Sequence, residues 1–171
     1  MTFKAEIQAV LGWNWSEGAV DNQRLDYAQQ LLQGNGDNQA EAVWHAEDQV
    51  LLSGASVTLD LSALERTILG DTNTVTFLSI KALLIVNAST SGGNLMVGGA
   101  ASDQWSEPFG ADGDQVAVPP DSPLLLCNRQ AGWPVDAANR NLKLAAVDGN
   151  VTYCLAIVGT TSVSASGSSG G

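Results

Sequence analysis

Apolar side chains stand at every second position from Phe3 through Ala5, Ile7, Ala9, Leu11 and Trp13 to Trp15. Between them come Lys4, Glu6, Gln8, Val10, Gly12 and Asn14. A strand sends successive side chains to opposite faces, so strict alternation over this length predicts one long strand with an apolar face and a largely wet one. This commits the chain to sheet structure from its start, and a long strand needs a partner along each edge it does not leave in water. Two tryptophans fall on the apolar face at the far end. They either pad a core near a sheet edge or offer an aromatic contact patch to a partner.

The polar stretch that follows, from Ser16 to Gln39, carries Leu25, Tyr27 and Leu31. These mark a second strand pairing with the first, although Arg24 to Gln33 also tolerates a short helix; the strand is the preferred reading. Gly34-Asn35-Gly36-Asp37 is a turn. Further on, Ala42–His45 and Gln49–Leu52 predict two short strands or one bent one, and Val57, Leu59 and Leu61 alternate against Ser56, Thr58 and Asp60. Ser62 before Ala63-Leu64-Glu65-Arg66 predicts a single helical turn, with Glu65 placed as in a capping box. The run Ala82-Leu83-Leu84-Ile85-Val86 predicts a strand buried on both faces. With the Ser/Thr/Gly turn after it and Leu95-Met96-Val97 beyond, Val75–Gly99 reads as a central hairpin.

Pro119-Pro120 has no place in a central strand. Leu124–Cys127 is another buried strand, and Gly132-Trp133-Pro134-Val135 turns into a short edge piece. Leu142–Leu144 and Val151–Val158 alternate again around Asp148-Gly149-Asn150, a strong hairpin signal. Eight or nine short strands separated by Gly, Pro, Asn and Asp turns predict an all-β chain, a β-sandwich or jelly roll. The expected division is an N-terminal strand or arm over 1–33, a sandwich over 34–159 and a flexible Ser/Gly tail over 160–171.

A chain of 171 residues has room for one domain with a proper core. Seven basic residues against eighteen acidic ones give a net charge of −11. Nucleic acid and anionic membranes are not expected partners, because phosphate contacts need Lys and Arg. The first fifteen residues lack the basic flank and apolar core of a secretory signal, and no apolar run is long enough for a membrane helix. Synthesis in a cytoplasm is therefore expected, with Asn14, Asn87 and Asn150 carrying no sugar. Cys127 and Cys154 lie in apolar runs and read as buried free thiols.

Chemistry is sparse. His45 is the one histidine and sits in a strand-like run beside Trp44, which suits a structural role. No serine stands in a nucleophile elbow, and the paired glycines lack the lysine of a phosphate loop. Paired carboxylates from distant strands leave no spacing signature, so glycan cleavage ranks last among the readings. Asp112-Gly113-Asp114 with Asp103 or Asp121 lacks the spacing of a calcium loop and reads as a solvated loop. No catalytic residue, cofactor or metal is expected.

Several local patterns occur together in order. They are Gly34-Asn35-Gly36-Asp37-Asn38-Gln39-Ala40 with Val43-Trp44, then Leu59-Asp60-Leu61, Ile80-Lys81-Ala82-Leu83 and Leu95-x-Val97-Gly98-Gly99-Ala100-Ala101-Ser102. Leu142-Lys143-Leu144-Ala145, Val151-Thr152-Tyr153 and Ile157-Val158-Gly159 complete the series. In this order they resemble small virion proteins of tailed bacteriophages. The resemblance covers residues 34 to 159, rests on turns and strand ends, and leaves 1 to 33 unmatched. It implies a capsid decoration (cement) protein: a non-enzymatic homotrimer on the major capsid protein, located in the virion after assembly in the host cytoplasm. Trp13, Trp15, Trp105, Phe109 and Trp133 are then candidate interface residues, and the long N-terminal strand is the candidate arm. The competing reading is a tail, fibre or lectin-like receptor-binding module, with Trp105, Phe109 and Trp133 stacking on sugar.

Overall fold

Fourteen strands and no helix account for the regular structure of the described residues. The structure, a computed structural model, describes residues 3–16, 20–68, 70–90 and 92–161. The expected tail, 160–171, lies outside them from residue 162 onward. In chain order the strands are β1 (Lys4–Ser16), β2 (Val20–Gln33), β3 (Gln39–Ala40), β4 (Ala42–Leu51), β5 (Ser56–Asp60), β6 (Leu64–Ile68) and β7 (Asp71–Val75). They continue with β8 (Ser79–Asn87), β9 (Asn94–Gly98), β10 (Gln115–Val118), β11 (Ser122–Cys127), β12 (Trp133–Pro134), β13 (Asn141–Val147) and β14 (Val151–Thr160).

Two four-stranded antiparallel paths carry the body. One runs β11-β8-β14-β4, with β12 also paired to β8; the other runs β10-β9-β13-β5. Their facing side chains form one core. Ile80, Leu83, Ile85, Tyr153, Leu155 and Ile157 come from the first sheet, and Leu95, Val97, Leu142, Leu144 and Ala146 from the second. The alternation seen in these strands is thus the alternation of core-facing and outward residues. Val57 and Leu59 pack on the same core, as their spacing predicts.

Two expected hairpins are not hairpins. β8 and β9 lie in different sheets, and so do β13 and β14. The chain passes from one sheet to the other after β8 and again after β13. The two crossings press on each other: a Cβ on Gly149 would stand 2.6 Å from the Gly93 nitrogen, and one on Gly93 would overlap the Val147 and Gly149 carbonyls. Glycine is required there by close backbone approach, the kind of corner that Gly92-Gly93 suggests in sequence. Asn87, fully buried, donates from Nδ2 to the Gly93 and Val118 carbonyls at 3.1 and 3.0 Å, so it supplies donors to two corners at once. The Pro119-Pro120 corner likewise moves the chain from β10 in one sheet to β11 in the other.

The predicted helical turn at Ser62–Arg66 is replaced by a bend and then β6. Asp60 Oδ1 accepts from the Ser62 backbone N–H (2.9 Å) and from its hydroxyl (2.5 Å), an Asx-type turn that satisfies the groups a helix cap would use. β6 pairs with β7, and Trp44 Nε1 donates to the Glu65 carbonyl at 2.8 Å, which ties this small hairpin to the body. Ala42–Leu51 forms one bent strand, with its irregularity opposite Tyr153/Leu155 and positive φ at Asp48. Both cysteines are free and half-buried rather than core residues, because they face outward from the first sheet.

Candidate interaction surface

β1 and β2 pair in unbroken antiparallel register from Lys4↔Leu32 to Ser16↔Val20. Thirteen residues at about 3.4 Å each make a ribbon about 40 Å long. Directly paired residues share a face, so Ala5/Leu31, Ile7/Gln29, Ala9/Tyr27, Leu11/Leu25 and Trp13/Gln23 line one side. That side holds no charged residue from Phe3 to Trp13 or from Gln23 to Leu31. The other side carries Glu6, Gln8, Gln30, Asp26, Arg24 and Asn14.

Only the base of the apolar side is covered. Ile7, Leu31 and Ala40 pack on Ala82, with Phe3, Ala5, Leu125, Cys127 and Val158 around them. Tyr27 reaches the Cys127 thiol in a side-chain hydrogen bond. Burial pushes the Cys127 thiol up, an effect that this hydrogen bond and the nearby Arg129 charge partly offset. Beyond that point the ribbon stands in water, with Leu11 66% and Leu25 68% exposed and Trp13 41% exposed. Leaving large apolar side chains like these in water is unusual for a ribbon that also ends in tryptophan.

The root of the hairpin is held by polar contacts. Lys81, 1% exposed, donates from Nζ to the Gly36 carbonyl at 3.2 Å and to the Gln130 carbonyl. The Asn38 N–H donates to the Arg129 carbonyl at 2.7 Å. Two loops, 34–38 and 128–131, are thereby joined beneath the hairpin. Burial pushes the Lys81 pKa down, and the Asp37 carboxylate works against that shift.

The outward face of the β11-β8-β14-β4 sheet is built in cross-strand rows. Cys127, Ala82, Val158 and Val43 form one, and Leu125, Leu84, Ala156 and His45 the next; Pro123, Val86 and Cys154 form a third. The hairpin base covers the first row. The second row opens into a groove of about 440 Å³ between β1 and the sheet, lined by Ile7, Ala82, Leu84, Leu125, Ala156 and Val158 among others. The run 82–86 is therefore buried on one face and only partly covered on the other, with Leu84 40% exposed. The expectation of two buried faces is corrected here.

The candidate interface residues separate into two groups. Trp105 has no exposed surface; its Nε1 donates to the Pro134 carbonyl at 3.1 Å, and its ring meets Phe109 and Trp133 edge-on at 6.2 and 5.9 Å. These three residues come together, but as a core plug under the 100–114 loop, with Phe109 and Trp133 half-buried. Trp105 is thus corrected from interface anchor to core residue. Trp13 lies on the apolar side of the hairpin, and the Trp15 side chain lies outside the described residues. His45 is exposed, 3.7 Å from Glu47. Asp103 turns to Arg140 at 3.5 Å, and Asp114 Oδ2 accepts the Ala111 N–H at 2.9 Å, so the acidic loop residues point into their own turns. Among the described residues no three His, Cys, Asp or Glu side chains gather. Sequence reasoning missed Leu84 and Lys81; only Leu84's place among apolar neighbours hinted at its surface, and nothing marked Lys81 as buried.

No family model matches this chain, and neither a curated protein nor a solved structure matches it either.

Proposed function

We propose that this chain is a non-enzymatic structural protein of a tailed-phage virion, a capsid decoration (cement) protein that binds the major capsid protein as a homo-oligomer, a trimer on the resemblance, and stabilises the shell. The observation that carries the reading is the N-terminal hairpin, a long ribbon whose uncharged apolar side leaves the body and stays bare. Such a ribbon is marginal alone in water and gains its stability against another surface. The body's strand order supports the same reading. Consecutive strands alternate between sheets, β4/β5, β8/β9, β10/β11 and β13/β14, in the orders β11-β8-β14-β4 and β10-β9-β13-β5. We read this as the two interlocked Greek keys of a jelly roll, an architecture found in viral capsid and lectin domains. Fold alone does not assign function, so the hairpin carries the weight. The lectin-like alternative has less support, because stacking on sugar needs an open aromatic face and Trp105 has none. An acidic body suits a soluble outer surface on a particle.

The test compares particles made with and without this protein. Particles that lack it are expected to release DNA at a lower temperature, and adding the purified protein back is expected to restore the higher one. Equal heat resistance with and without it contradicts the reading.

A further inference from the structure

Two incompletely covered apolar surfaces lie side by side on this chain. One is the distal part of the hairpin, where Leu11, Trp13 and Leu25 line the uncharged side. The other is the strip of outward sheet made by Leu84, Leu125, Ala156, Val86 and Cys154 beside the hairpin base. They flank a contact that the chain already makes, in which the same side of the hairpin, at Ile7 and Leu31, seats on the same face of the sheet at Ala82. A hairpin that diverges from its own sheet cannot cover the strip, and its own strip cannot cover it.

We propose that each copy lays the distal half of its hairpin on the outward sheet strip of a neighbouring copy, giving one hairpin and receiving one. The occupant of the groove is thus a second copy of this chain. Three features on the molecule select it. The contact extends an interface of known chemistry, apolar hairpin side on apolar sheet face. The hairpin side carries no charge, and the strip meets charge only at its margins, in Glu6 beside the groove and Glu47 beside His45, so two chains of net charge −11 meet there over surfaces poor in acidic groups. The area also fits. Leu11, Trp13 and Leu25 leave on the order of 400 Å² in water, and the strip that receives them has Leu84 exposed and its other side chains half-buried, so a copy that gives and receives buries on the order of 600–800 Å², approaching the share of one partner in a standard interface. A single contact without the return contact reaches only half of that. The exchange therefore closes on itself, as soluble homo-oligomers do.

The inference rests on the oligomeric part of the proposed function. Its test uses the purified full chain with no capsid present, so its failure leaves capsid binding standing, and equal heat resistance of particles leaves the exchange standing. Mass in solution is measured by light scattering for the wild type, for a chain with Leu11→Gln and Leu25→Gln, and for a chain with Leu84→Gln. Glutamine leaves the net charge unchanged, and all three positions are exposed, so the body is expected to keep its cooperative melting. The wild type is expected to be an oligomer at micromolar concentration, with association at least a hundredfold weaker in either variant. The first variant lacks a donor but keeps its strip; the second lacks a strip but keeps its hairpin. Mixed in equal amounts, they keep one intact contact per mixed pair and are expected to associate more tightly than either variant alone and more weakly than the wild type. A monomeric wild type, an oligomer that survives either set of substitutions, or a mixture that associates no more tightly than either variant alone would each overturn the exchange.

Discussion

Trp105 illustrates how far residue type alone can mislead. Its place in a loop with Pro108 and Phe109 suggested a contact anchor, yet the loop folds back and puts the indole in the core, with its N–H satisfied by Pro134. Trp105→Ala is therefore expected to cost about 3–5 kcal/mol of stability, read as a lowered denaturant midpoint, and to leave association of the folded fraction unchanged. Tyr153 gives a second test at this scale. Its ring is buried in the core, and desolvation raises its pKa above the usual tyrosine value. As pH climbs past about 10, the unfolded chain loses the phenolic proton while the folded chain keeps it. The folded state then binds more protons, so stability falls with rising pH. The contribution is whole below about pH 10 and is lost as pH passes through the raised folded value. Tyr153→Phe is expected to show a shallower loss of denaturant midpoint than the wild type above pH 10, with no difference in that slope at neutral pH.

Among elements, the hairpin root and the sheet corners matter most. Lys81 joins loops 34–38 and 128–131 beneath the hairpin, and removing its ammonium leaves the Gly36 and Gln130 carbonyls without that donor. Lys81→Met is expected to speed amide hydrogen exchange at Leu32, Gly34 and Asn38 by roughly tenfold, while exchange in β9 and β13 stays as it was. Elements with their own periodicity were legible in the sequence: β1, β2, β5, β13 and β14 follow their alternation, and the bent β4 follows its two apolar pieces. Pairing was legible for β1 with β2 but not where the chain changes sheets. Asp148-Gly149-Asn150 has the composition of a hairpin turn, but a turn sequence specifies local backbone shape and not whether the next strand stays in the same sheet. That choice was made by the glycine corners, where Gly93 and Gly149 approach across 56 residues of chain. Ser62-x-x-Glu65 failed for a related reason. Asp60 satisfied the turn's donors first, and Leu64 found a place in the core as a strand residue.

For the whole molecule, the outward faces decide what it does. The core-facing residues account for the fold, and among the described residues no cluster of acids, bases or metal ligands marks a chemical site. What remains unspent is the apolar side of the hairpin and the half-covered sheet beside it. The candidate site was half legible: alternation from Phe3 to Trp15 exposed the hairpin as a contact element, whereas the receiving strip was hidden inside a run that looked fully buried. Both readings of that surface, attachment to a shell and exchange between copies, place the hairpin against another chain. The most direct measurement is a cryo-EM map of phage particles assembled in the presence of this protein. The account predicts the two-sheet body on the outside of the shell, with Leu11 and Leu25 buried against a neighbouring chain. A map in which the hairpin tip stands in solvent, or in which the shell carries no such body, would contradict it.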